Sequence, residues 1–202
     1  MAPMATTIAS SGVAAEKTGA AMEKYNRASR LVSKITELWR QATGRDDLHL
    51  ADALASGADA VGRLMHVAQE ADPAEADALL TRLEHFIAEN EQILPAAGDA
   101  LAGGDLAGFG ALVDQSQLAA EQLLGNQVRE TVELASMART AGAAAASSFG
   151  AGFGGSVWAL IEQTAADRFL AEWSEAYRRR FPKQAGRAVF FTTAAGPAAF
   201  RL

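Results

Sequence analysis

Cysteine does not occur in this 202-residue sequence. Its absence removes disulfides, thiolate metal sites and thiol nucleophiles together, and it fits a reducing cytoplasm, the expected location. Lysine is scarce. Lys17, Lys24, Lys34 and Lys183 are the whole complement, and none follows a glycine-rich loop, so a phosphate-binding Gly-Lys-Ser/Thr motif is excluded. A basic surplus is missing too. Lys and Arg number 18 against 24 Asp and Glu, a net charge of -6, whereas a nucleic-acid binder shows a basic stripe. The one basic run, Arg178-Arg179-Arg180, falls at the predicted end of a helix, where it complements the negative pole of the dipole. No stretch approaches the roughly 18 to 20 apolar residues of a bilayer span. The opening MAPMATTIASSG has neither a basic start nor a sustained apolar core, so no membrane or secretory signal is expected.

The three histidines, His49, His66 and His85, are too scattered for a metal site, and no His-Glu-x-x-His pattern exists. His66 follows an apolar pair and reads as a packed core histidine. Glu84, Glu89 and Glu91 read as a solvated helix face. Ser147 and Ser148 have no base near them in sequence, which disfavours a serine nucleophile.

What is present is a globular balance. Half of the residues are hydrophobic and 21% are charged, enough to bury a core in one large domain or two small ones. Residues 5–13 read as a strand that begins almost at the first residue. A long helix is predicted over about 19–43, with Met22, Tyr25, Ser29, Val32, Ile35 and Trp39 on one face. Two shorter helical pieces follow, interrupted at Ser56-Gly57. Asp72-Pro73 is a helix start, a capping acid before proline, and the stripe Ala76, Leu79, Leu80, Leu83, Phe86, Ile87, Ile93 continues to Pro95, which should kink or divide the helix. After a turn at 101–105, helices are predicted over about 106–124 and 128–146. Then the pattern changes to a strand (156–161), a helix capped by Thr164, a strand (186–193) and a short third strand (197–202). Helices first and then strand–helix–strand–strand imply an α+β fold, a small mostly antiparallel sheet covered by helices.

Between the predicted helix and strand lies SSFGAGFGGSVWALI, residues 147–161. It matches the dinucleotide pattern Gly150-x-Gly152-x-x-Gly155. That pattern works when a strand enters and a helix leaves, so that a helix N-terminus meets the phosphates. Here the predicted order is the reverse. The remaining reason for so many glycines is close main-chain approach and positive φ: a tight connection packed under its neighbours, or a loop set against another loop or a ligand.

Phe149–Ile161, FGAGFGGSVWALI, resembles the third motif of the GHMP kinases, most closely that of galactokinases. YNRASRL (Tyr25–Leu31) resembles their Tyr-Asn-x-Arg helix. Arg82–Gln117 resembles their Arg/His–Glu–Asn helix, the Leu-x-x-Gly-Asp turn and the helix before a Ser-His pair, and Tyr177 matches the tyrosine of the last helix. The similarity runs from about Ile8 to the end, with the motifs in family order. Two departures bear on sugar identity: Ala-Ser-Ser-Phe149 replaces the usual Arg and Thr before the loop, and the Ser-His pair is Ser116-Gln117.

The resemblance implies a helix-rich GHMP kinase C-terminal domain with a ferredoxin-like core over residues 5–202. It implies a sugar kinase that uses ATP and Mg2+ to phosphorylate galactose or a related monosaccharide. Tyr25 matches the tyrosine that reaches toward the sugar. Gly150, Ala151, Gly152, Phe153, Gly154 and Gly155 match the motif that lines the cleft and braces the phosphate loop. The family's Pro-x-x-x-Gly-Leu-Gly-Ser-Ser loop, its catalytic aspartate and its arginine are not found here, so no catalytic residue is assigned to this chain. The expectation is a C-terminal half whose N-terminal ATP-binding half lies elsewhere, inactive alone and exposing an apolar patch where that half would sit. The alternative is a catalytically inactive, kinase-derived module that senses a sugar or docks a partner.

Overall fold

Alternation of small and larger residues in MATTIAS produces the first strand. In β1 (Met4–Ser10) every second residue is buried, the period-two signature of a strand with one face on a core. The computed structural model describes residues 3–15, 20–150 and 152–194, the side chains of 20–22, 24 and 25 lying outside that description. Beyond β1, three further strands are present among the described residues: β2 (Ala145–Phe149), β3 (Ser156–Glu162) and β4 (Val189–Thr193). They form one sheet in the order β2-β3-β1-β4 with every pair antiparallel. With helices between β1 and β2 and again between β3 and β4, this is the β-α-β-β-α-β ferredoxin-like arrangement. The α+β expectation is borne out. The 197–202 strand lies outside the described residues.

The chain divides into two units. The first contains the sheet. Helices α7 (Arg129–Thr140) and α8 (Ala166–Arg180) share a core with one sheet face, where Ala9, Leu134, Val157, Ala159, Phe169 and Trp173 are all but inaccessible. The opposite face carries Ile8, Trp158 and Phe191 in one row of the register and Phe149 and Val189 in the next. On it Val189, Phe149 and Phe191 are 55%, 48% and 45% exposed.

The second unit is helical. Its core joins Ile35 and Trp39 of α1 (Ala20–Thr43) to residues of α2 (Leu50–Leu54), α3 (Ala60–Gln69) and α4 (Pro73–Ile87), including Leu50, Leu64, Leu79 and Leu83. Trp39 donates to Asp47 at 2.8 Å. Asp72 accepts from the Ala74 N–H at 2.9 Å, the cap that the Asp-Pro signal implies. The α-helix is divided ahead of Pro95, as expected: α4 ends at Ile87, a π-helical segment spans Ala88–Ile93, and Pro95 stands in the first turn of α5 (Leu94–Gly103).

Three expectations fail locally. The helix predicted to 146 ends at Thr140, and Gly142 at φ +100° turns the chain into β2. Thr164 is not a cap; it lies in the 3-10 turn Gln163–Ala165 and donates to Glu162 at 2.8 Å, while α8 starts without a side-chain cap. His66 is exposed, and the buried histidine is His85.

Candidate functional site

The glycine segment is a β-hairpin loop joining β2 to β3, so a strand and not a helix delivers the chain to it. The predicted helix-to-strand order is therefore corrected to strand-to-strand, and the helix N-terminus that a dinucleotide loop needs does not follow the loop in sequence. Its backbone needs its composition. Gly150, Gly152, Gly154 and Gly155 have φ of +87°, +87°, +126° and +86°, and Phe153 is held at +57°, a left-handed conformation that costs a non-glycine residue about 1–2 kcal/mol. Gly152 and Gly154 are buried, whereas Phe149 and Gly150 are exposed. Ala151 lies outside the described residues.

One flank of the loop is stitched to the segment after β1. The Gly155 N–H donates to the Val13 carbonyl at 2.9 Å, and the Gly155 carbonyl accepts from the Ser11 N–H at 2.9 Å and the Ser11 hydroxyl at 2.8 Å. A β-carbon at Gly154 would stand 2.8 Å from the Val13 oxygen, closer than such atoms approach. Of the two settings the sequence leaves open, the loop-against-loop one is present. Ser11 is in turn braced by Tyr177, whose buried hydroxyl donates to the Ser11 carbonyl at 2.7 Å. Burial, then the nearby Glu130 charge, raises the Tyr177 pKa far above that of a free phenol, which favours the protonated hydroxyl that donates here. Phe181 and Phe190 pack on its ring at 5.0 and 5.9 Å between centroids.

The other flank leans on helix α6 (Leu106–Ala119). Gln117 accepts the Ser148 N–H at 2.8 Å, and the Ser147 and Ser148 hydroxyls lie 2.9 and 3.2 Å from the same oxygen. The two serines are thus structural donors to an amide oxygen, which cannot serve as their base. Gly110 brings α6 onto the turn before β2; a β-carbon there would stand 2.0 Å from the Ala144 oxygen.

Residues 97–179 match the family model described as GHMP kinases C terminal. Gln117, Ser147, Ser148, the hairpin and Tyr177 all fall inside that match. The galactokinases of Chloroflexus aurantiacus and Chloroflexus aggregans are 36% and 35% identical over 103 residues, half of this chain and 26% of each relative. Residues 97–179 are thus similar to the C-terminal domain of the GHMP kinases, and half of the chain is similar to galactokinases. Its fold agrees with that of Lactococcus lactis galactokinase, solved with galactose, at a TM-score of 0.73 and 23% identity, covering 94% of this chain and 44% of that one. The matched stretch is about a quarter of the length of the two curated relatives.

Within the matched region the hairpin offers main chain and an exposed phenylalanine, and no titratable group. Tyr25 is in α1 of the helical unit, with its side chain outside the described residues. The next residues, Asn26 and Arg27, line an open groove of about 880 Å³ with Arg30, Lys34, Glu37 and Glu75. No three His, Asp or Glu side chains among the described residues could hold a metal ion together, and no described helix is long and apolar enough to cross a membrane. Ser11, Gly110 and Arg139, which donates to the Ala143 and Ala144 carbonyls, carry no motif in the sequence. The glycine inside a helical pattern at 110 was the one signal that could have found any of them.

Proposed function

We propose that this chain is the C-terminal half of a galactokinase-like sugar kinase, which transfers the terminal phosphoryl group of ATP to a hydroxyl of galactose or a related monosaccharide in the cytoplasm. The carrying observation is the Gly150–Gly155 hairpin, fixed on one flank by Ser11 and Val13 and lying wholly inside the matched GHMP region. Phosphoryl transfer is mainly positioning and charge neutralisation. In this reading the hairpin braces a phosphate loop supplied by an N-terminal half, which also brings the catalytic aspartate. Gly150, Ala151, Gly152, Phe153, Gly154 and Gly155 line the cleft without exchanging protons, and Tyr25 offers the sugar a hydroxyl and a flat apolar face. Magnesium on the ATP would neutralise phosphate charge. The described residues do not group as a shell for it, and no step here runs through the ion.

The half-exposed face around Phe149, Val189 and Phe191 supports a missing neighbour, because apolar surface of that kind marks an interaction site. The test is reconstitution. The chain alone should not turn over ATP with galactose. Co-expressed with the N-terminal half of a matching galactokinase, it should form a complex that phosphorylates the sugar. A verified complex with no transfer to any monosaccharide counts against the reading. Sugar binding by the chain alone, without turnover after assembly, supports the sensing module instead.

A further inference from the structure

Gly110, Val113 and Gln117 form the buried stripe of α6, spaced so that all three fall on one face. β2 is an edge of the sheet, and an edge strand presents main-chain groups that no neighbouring strand takes up. At Ser148 such an N–H meets the Gln117 oxygen at 2.8 Å. Two residues later the chain enters the hairpin. At the far end of β2, Arg139 holds α6 through Asp114, 2.9 Å away, and also donates to the Ala143 and Ala144 carbonyls. The helix is therefore a splint along the strand, tied at one end by Arg139 and at the hairpin end by Gln117.

The Gln117 amide is oriented by its partners. Only its carbonyl oxygen can accept from a backbone N–H, so the nitrogen points the other way. That Nε2 is buried and has no partner among the described residues, in a side chain that is only 9% exposed. A buried amide that leaves its nitrogen unsatisfied calls for an explanation, and the cluster of donors on its oxygen supplies one.

We propose that Gln117 is the positioning residue of the glycine hairpin. By gathering Ser147 and Ser148 on one oxygen it fixes where β2 gives way to Gly150, and through that point it sets how the hairpin meets the nucleotide. The nucleotide clause rests on the kinase reading above; the hold on β2 does not.

Hydrogen–deuterium exchange on the 202-residue chain tests the hold directly. Gln117→Leu keeps the bulk and loses the acceptor. It should raise exchange at least tenfold in peptides covering 147–155 and leave those of α8 unchanged. Gln117→Glu keeps an oxygen at the same reach and should return exchange toward the parent value. The Ser147→Ala, Ser148→Ala double variant, which retains only the main-chain bond, should fall between. Unaltered exchange in Gln117→Leu, or equal loosening in the Leu and Glu variants, overturns the proposal. Should Gln117→Leu not fold, the serine pair decides alone, and parent-like exchange there overturns it. In the reconstituted kinase, Gln117→Leu should raise the KM for ATP severalfold with the sugar KM unmoved. A loosened hairpin with unchanged ATP KM overturns the nucleotide clause. Failure of the parent complex to phosphorylate sugar removes the kinase reading and leaves the exchange result standing.

Discussion

At Gly154 the backbone runs at φ +126° and the Val13 oxygen occupies the space a β-carbon needs. Gly150 also has positive φ, +87°, but nothing lies within 4 Å of where its β-carbon would stand. The pair separates steric exclusion from backbone preference. Gly150→Ala should lower stability by about 1–2 kcal/mol, whereas Gly154→Ala adds a main-chain clash and should lose about 1–3 kcal/mol more. Urea midpoints of the two variants check the order. His85 makes a different prediction. It is buried in α4, with the Arg82 guanidinium 3.0 Å from its Nδ1. Burial, then the Arg82 charge, hold its pKa below the ordinary 6.5, with Glu89 opposing weakly. The unfolded chain thus takes up a proton near 6.5 that the folded chain refuses. This contribution is neutral at high pH and becomes destabilising as pH falls through about 6.5. Urea denaturation at pH 7.5 and 5.5 should show the loss, and His85→Gln should flatten it.

At the scale of elements, the amphipathic helices and the α4 start were legible because burial and an Asp-Pro cap leave regular marks. Trp39 and Ile35 fall on the predicted stripe and are inaccessible, and the Asp72-Pro73 start is realised in α4. β2 was not legible. Its sequence, AASSF, follows a run of alanines that favours helix locally, yet Ala145 and Ala146 are 0% and 1% exposed. α7 packs against the strand and Gly110 of α6 meets the residue before it, a tertiary demand that no local pattern records. The hairpin was legible as a loop of close approach, but its entering strand was not, so its partners on α6 were beyond reach. Gly110 is the counterpart of those alanines on the helix. Gly110→Ala should push α6 off the Ala144 carbonyl and cost about 1–3 kcal/mol. Gly98→Ala, in α5 with nothing within 4 Å of the added carbon, should instead stabilise by about 0.4–1 kcal/mol. Thermal unfolding of both variants separates packing from propensity.

For the whole molecule, on the proposed kinase reading, the net charge of -6 means that this chain's overall field does not draw in an anionic nucleotide and that its contribution has to be local. The hairpin's contribution is consistent with that, since it is made of main-chain groups. The two units also interleave in sequence: the sheet unit takes residues 1–15, 96–118 and 127–202, and the helical unit takes 16–95 and 119–126. The register of β1 has a consequence for synthesis. Its residues pair with 156–162 and 189–193, so β1 gains neither of these two neighbours until residue 156 has been added. At the usual pace of translation that wait is on the order of ten seconds, during which the strand's hydrogen-bonding groups stay open to water or to a chaperone.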